Sequence, residues 1–223
     1  MTFKRLALGM VKATHFGPTV LVVSISFTLA ITQLSFSKSF EIALAILAGQ
    51  CVVGWTNELV DHSRDAEAGR LKKPLVAGSV SKKQLQAGIA IALASAILLS
   101  FLGPLGSRGG WLHMLGLLSA TIYNFWAKST WFSPMPYAIS FGALPWAIYS
   151  ATGKQPPAWL FLDFILVSIS FHFLNVIKDL DWDPDQNVLG VPQRIGKVWC
   201  IRLAATLDLV ALAVIPLNLG LRR

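Results

Sequence analysis

The sequence is poor in charge. Only 13% of its 223 residues are Asp, Glu, Lys or Arg, against roughly 25% in soluble domains, and just eleven are acidic. With 54% hydrophobic residues and a mean hydropathy of +0.60, that scarcity excludes an ordinary soluble domain and points to an integral membrane protein. The alternating segments of about ten residues that mark a membrane barrel are missing. The apolar runs are long and continuous instead, so the spans are helical. Cysteine is nearly absent: Cys51 and Cys200 lie in or near apolar runs, at no spacing that supports a disulfide framework or a metal site. His15, His113 and His172 lie at span ends or within spans, again without ligand spacing. No small-residue cleavage site follows Lys4 and Arg5, so the first apolar run reads as a retained helix. A net charge of +8 in a soluble protein would raise nucleic acid as a partner. Here the basic residues sit in loops between apolar runs, membrane orientation accounts for them, and no nucleic-acid partner is expected.

A basic, mildly amphipathic head (Phe3, Leu6, Leu8, Met10, Val11) suits the membrane interface. About seven spans follow, near residues 16–34, 40–56, 85–102, 111–126, 134–151, 158–174 and 198–219, each close to the length that crosses a hydrocarbon core of about 30 Å. Pro136 and Pro145 are expected to bend the fifth. Pro74 and Gly78 prevent a long helix between the second and third. With the head in the cytoplasm, Lys4, Arg5, Lys12, Arg64, Arg70, Lys72, Lys73, Lys82, Lys83, Lys128, Lys178, Arg194, Lys197 and Arg202 fall on that side. Only Lys38, Arg108, Lys154, Arg222 and Arg223 fall on the other. This bias supports both the orientation and the span count. The expected fold is all-α: a polytopic transmembrane bundle forming a single domain over residues 1–223, with a central lateral cavity capped by two Asp-rich motifs. The expected setting is a bacterial plasma membrane with both motifs cytoplasmic.

Those motifs follow the second and sixth spans. Asn57, Asp61 and Asp65 are spaced by four, as are Asn175, Asp179 and Asp183. On a helix each set stacks on one face, one turn apart. Carboxylates so placed repel one another unless a cation lies between them. Mg²⁺ is the natural choice, a hard ion that takes one or two carboxylates together with substrate phosphates. Asn57 and Asn175 add neutral oxygens or phosphate donors. Arg64, Arg70, Lys72, Lys73, Lys128 and Lys178 supply positive charge for phosphate oxygens. Carboxylates, Mg²⁺ and basic side chains make a diphosphate site, and an apolar cavity beneath it would hold a long chain, which implies a prenyl diphosphate. Metal-assisted ionisation would then leave an allylic cation among apolar and aromatic groups, to be captured by an acceptor or by an internal double bond.

Other features read more plainly. Glu58, Glu67, Asp163, Asp185 and Asp208 look like surface, capping or local charges, and Asp181 lies off the motif face. His62 is off the Asp face and reads as solvated. The tryptophans flank spans as interface anchors do, and Tyr123 either orients a substrate or anchors likewise. Several functions stay open: a prenyl transferase, a membrane terpene cyclase, an inactive prenyl-lipid binder, and a cation or lipid transporter. The last would require acids near mid-span, whereas these lie at span ends.

At these residues the chain resembles the UbiA-type intramembrane prenyltransferase superfamily. Asn57-Glu-Leu-Val-Asp61-His-Ser-Arg-Asp65, with Arg70, Lys73-Pro74-Leu75 and Gly78, is similar to the family's first aspartate-rich signature and its tail. Asp179 to Asp183 with Gly190-Val-Pro-Gln-Arg-Ile-Gly196 resembles the second. Tyr123 and Lys128 resemble the Tyr/Lys element between them, whose usual spacing is one residue shorter. The resemblance implies Mg²⁺ bridging a diphosphate between the motifs, and transfer of a prenyl group to an aromatic or quinone precursor or another lipid-soluble acceptor. Asn57, Asp61, Asp65, Asp179 and Asp183 inherit the metal and diphosphate roles, and Arg70, Lys73 and Lys128 inherit diphosphate contact. The family usually has more spans than are counted here. Either the reading frame is short, or partner helices or an oligomer complete the cavity.

Overall fold

The structure, a computed structural model, describes residues 3–180 and 188–220; Asp181, Asp183 and Asp185 lie outside the described residues. Eight α-helices follow in order among them: α1 (Phe3–Ala13), α2 (Phe16–Ile31), α3 (Phe36–Glu67), α4 (Lys82–Leu102), α5 (Gly106–Phe125), α6 (Met135–Ser150), α7 (Ala158–Val176) and α8 (Val191–Gly220). The expected all-helical bundle is observed. Sequential neighbours pack along it, and α3 also packs on α5 and α2 on α6. The ladder of helices is thereby folded back on itself around a central space.

The division of the spans differs from the sequence reading. Four helices are long and apolar enough to cross a membrane: α3, α4, α7 with its extension, and α8; α1 and α2, bent by 67° at their junction, make a fifth if counted as one. The remaining expected crossings fall short for physical reasons. The 16 residues of α2 or of α6 reach only about 24 Å, less than the roughly 30 Å core. Arg108, His113 and Asn124 make α5 too polar. α3 departs the other way. It does not stop near Thr56 but runs unbroken through the first motif to Glu67, 32 residues in all, or about 48 Å. At that length it exceeds a core of roughly 30 Å, and its acidic residues sit at its polar end.

Lipid tails offer no hydrophobic drive between helices, so close backbone approach and interhelical hydrogen bonds hold the bundle. Ser140 Oγ donates to the Gly116 carbonyl at 2.9 Å, joining α6 to α5. Asn124 Nδ2 donates to the Val53 carbonyl at 2.9 Å, joining α5 to α3. At the end away from the motifs, Val22, Ala30, Ile42, Ile46, Leu105, Leu144, Ala147 and Ile148 form a sealed cluster.

α1 covers the opposite end. It exposes Phe3, Leu8 and Val11 and packs its other face on the loop over residues 68–80, where Ala13 joins Leu75, Val80 and Leu85. Trp55 Nε1 donates to the Met10 carbonyl at 2.9 Å. The turn into α2 crosses directly over Gly54, where an added Cβ would lie 2.5 Å from the Thr14 carbonyl oxygen. His15, at that turn, adopts φ 59° and ψ 63°, a left-handed conformation uncommon outside glycine.

Candidate functional site

The charged ends of α3, α5 and α7 surround one end of a cavity of about 930 Å³. α3 lines it with Ile46, Gly49, Val53, Asn57, Asp61 and Asp65, the three-and-four spacing of a single helical face. Every described residue expected in the site lies on this cavity: Asn57, Asp61, Asp65, Arg70, Lys73, Tyr123, Lys128, Asn175, Lys178 and Asp179. Asp183, the remaining one, lies outside the described residues.

Each acid is met by cations from elsewhere in the chain. Asp61 pairs with Arg64, one turn on, and with Lys128 from the 3-10 turn after α5. Asp65 is almost fully buried, with Arg70 Nη1 at 3.3 Å and Lys73 Nζ at 3.4 Å. Arg70 also reaches Asp179 Oδ1 at 3.3 Å through Nη2, so one guanidinium bridges the two motifs. Their geometry is less symmetric than their sequences. The first motif is α-helical throughout, but α7 ends at Val176 and Asp179 sits in a tighter 3-10 turn, Ile177–Asp179. Lys178 lines the cavity and, among the described residues, makes no ion pair.

Five features escaped the sequence reading or were left open or misread by it. Glu58 is no surface charge: it is 2% exposed, accepts a hydrogen bond from the Leu75 backbone N–H at 2.9 Å and lies 3.5 Å from Lys73 Nζ. It ties the 68–80 loop, with its basic residues, to α3. His15 Nε2 lies 3.1 Å from Asn57 Nδ2, and only the left-handed turn brings it there. Tyr137 stands edge-on to Tyr123, with ring centroids 5.2 Å apart, and lines the cavity beside Asn175. Tyr123 is no interface anchor, because its ring meets Tyr137 and His172 edge-on at 5.2 and 5.7 Å. His62 is only half-solvated: its Nδ1 is buried and, among the described residues, makes no hydrogen bond, and it does not line the cavity.

The donor set suits a hard divalent cation. Carboxylate oxygens dominate, and among the described residues buried Asp65 Oδ2 accepts no hydrogen bond, with Lys73 Nζ 3.4 Å away. Among the described residues no three such groups converge on one point. That is compatible with Mg²⁺, which takes one or two carboxylates and fills its shell with water and substrate phosphate.

The model of the UbiA prenyltransferase family matches residues 16–222. No curated protein matches the chain. Among solved structures, a UbiA homolog from Archaeoglobus fulgidus bound to GPP and Mg²⁺ is similar with a TM-score of 0.78 and 12% identity, over 92% of this chain and 76% of that one. The same homolog bound to DMAPP and Mg²⁺ gives 0.71 and 14%, over 96% and 76%. A structure concerning digeranylgeranylglyceryl phosphate synthase gives 0.72 and 18%, over 97% and 78%. At such identities the likeness is one of fold.

Proposed function

The chain belongs to the UbiA prenyltransferase family, and from that premise we propose that it transfers a prenyl group from a prenyl diphosphate to an aromatic or quinone precursor or another lipid-soluble acceptor inside the membrane. The observation that carries this reading is Arg70, which joins Asp65 and Asp179 over the mouth of one cavity whose deeper walls are mostly apolar, with Gln50, His113 and Ser140 among them. The Archaeoglobus fulgidus homolog binds GPP or DMAPP with Mg²⁺, and the acids here suit the same company.

Asp61, Asp65, Asp179 and Asp183 would hold Mg²⁺, with Asn57 beside them. The ion, when bound, neutralises charge on the departing diphosphate. Arg70, Lys73 and Lys128, now paired with carboxylates, turn toward phosphate oxygens, and Lys178 adds a further cation. Charge developing on the leaving group is thereby met by groups already in place. The bond between C1 and the diphosphate oxygen breaks, its electron pair leaving with the diphosphate. The rings of Tyr123 and Tyr137 border the position of the allylic cation and stabilise it through their faces. The acceptor then bonds to C1, and the proton it loses leaves through the polar mouth. His15 fixes Asn57. Both motifs face the cytoplasm in this reading, where diphosphates are soluble and the basic loops belong.

The test is diphosphate release by purified protein with Mg²⁺ and an acceptor panel, read beside product mass. Release by wild type and its loss in Asp61→Ala and Asp179→Ala support the reading. No release with any chain length or acceptor removes it. Release without acceptor, giving a hydrocarbon or alcohol, identifies a cyclase instead.

A further inference from the structure

We infer that Gln50 and His113 form a hydrogen-bonding subsite on the cavity wall, about two helical turns below the charged mouth, and that it holds an oxygen of the acceptor. The inference rests on the prenyl-transfer reading and adds how the second substrate is recognised.

Below Asn57, the face that α3 turns to the cavity is apolar except at Gln50, about 10 Å down the helix. His113 of α5 lines the same cavity and reaches α3 beside Gln50. A Cβ on Gly49 would lie 2.7 Å from its Nε2, so only a residue without a side chain leaves room for the imidazole. One turn along α5, the Gly116 carbonyl takes the hydroxyl proton of Ser140 at 2.9 Å. Ser140, also on the cavity wall, can therefore only accept.

The hydrogen bonding of this group is unfinished. Among the described residues the Gln50 side-chain amide has no partner. His113 Nδ1 lies 2.7 Å from Ser100 Oγ. Ser100 is fully buried, and among the described residues its hydroxyl has this imidazole as its partner. The hydroxyl therefore donates to Nδ1, and the proton of the neutral ring sits on Nε2. That N–H finds no acceptor among the described residues. Polar side chains at such depth mark a ligand path more often than a structural need. A prenyl chain carries no hydrogen-bonding atom past its diphosphate and leaves both groups unpaired. The acceptor is the other molecule the cavity must admit. A carbon that bonds to C1 lies on the side away from the diphosphate, which places its ring between the mouth and this level. A ring oxygen there accepts from His113 Nε2 and Gln50 Nε2, and a hydroxyl can also donate to Gln50 Oε1 or Ser140 Oγ. An acceptor without oxygen leaves these groups unsatisfied and is disfavoured.

Binding separates this inference from the reading beneath it. Purified protein with Mg²⁺ and a prenyl thiolodiphosphate, whose sulfur linkage resists ionisation, is titrated with naphthol, methoxynaphthalene and naphthalene. These rings share a shape and differ in oxygen. Prenyl transfer from the corresponding diphosphates to an acceptor panel is followed in parallel. Wild type is expected to bind naphthol about tenfold tighter than naphthalene, with methoxynaphthalene, which accepts but cannot donate, in between. Gln50→Leu and His113→Leu each cut that preference to about threefold or less and leave the thiolodiphosphate Kd unchanged. His113→Gln, which keeps a side-chain N–H, restores part of it. Gln50→Leu gives up no hydrogen bond among the described residues, so its result stands even if His113→Leu, which strands the Ser100 hydroxyl, fails to fold. Equal binding of naphthol and naphthalene by wild type overturns the inference. A preference that Gln50→Leu leaves intact overturns it too, as does a Gln50→Leu protein that no longer binds the thiolodiphosphate. A preference lost in the variants, with no transfer from any diphosphate to any acceptor, upholds the subsite and removes the transfer reading alone.

Discussion

Glu58 offers the sharpest test of how this site is held. Its carboxylate is buried, accepts from the Leu75 N–H at 2.9 Å and lies 3.5 Å from Lys73. Glu58→Ala removes the acceptor and leaves a buried backbone donor unpaired, a loss of about 1–3 kcal/mol. Lys73 loses one of two carboxylates but keeps Asp65 at 3.4 Å, so the ionic loss is smaller, about 1 kcal/mol. Together the variant should lose about 2–4 kcal/mol. For a chain of this size that lowers Tm by about 5–15 °C. Glu58→Gln keeps a carbonyl oxygen for the Leu75 N–H and gives up only the charge. It should lose about 1 kcal/mol, or about 2–4 °C. The assay is thermal unfolding in detergent, followed by helical circular dichroism. If the two variants fall equally, the Leu75 hydrogen bond is not what holds the loop. If neither moves Tm by more than about 1 °C, Glu58 is not buried as described, and the reasoning would be refuted. Function gives a second readout. Because the loop carries Arg70 and Lys73, both variants should raise KM for the prenyl diphosphate, the alanine more than the glutamine.

Other outcomes follow from the same contacts. Arg70→Ala removes the group that, among the described residues, joins Asp65 to Asp179, and with it charge stabilisation of the leaving diphosphate. The rate of diphosphate release should fall about 10²-fold or more, checked by steady-state kinetics. Gly54→Ala puts a methyl group 2.5 Å from the Thr14 carbonyl oxygen, which neither backbone can evade cheaply. A loss of about 1–3 kcal/mol and a weakened His15–Asn57 contact are expected, read by thermal melting and by KM. Chelation of divalent metal should weaken binding of a non-ionisable prenyl thiolodiphosphate about tenfold or more, yet leave the helical signal unchanged. Arg64, Arg70, Lys73 and Lys128 already balance Asp61, Asp65 and Asp179, so the fold does not depend on the ion. Loss of helix on chelation would overturn that assignment.

Much of the fold was legible because its signals are local. Long apolar runs specify helices in lipid, where each backbone polar group must be satisfied within its own segment. The spacing of Asn57, Asp61 and Asp65 placed them on one face as soon as the segment was helical, and α3 is helical there. The α-helical stacking expected of the second motif ends after Asn175, because the chain tightens into a 3-10 turn before Asp179, which nevertheless lines the cavity. Spans were harder to divide. Hydropathy does not register that α3 is longer than the hydrocarbon core, or that α2 and α6 are only 16 residues long.

By itself the sequence determined the class of molecule, the helical register of its first acidic motif and the kinds of side chain available to the site. These depend on neighbours three or four residues away, or on composition alone. Only the tertiary structure decided which charge meets which. Lys128 reaches Asp61, Arg70 joins Asp65 to Asp179, and His15 reaches Asn57 because helices distant in sequence pack side by side. The same packing buried Glu58, one residue from Asn57. Burial and ion pairing are properties of the assembled surfaces. A glutamate on a long helix reads identically in sequence whether water or the Leu75 amide lies against it.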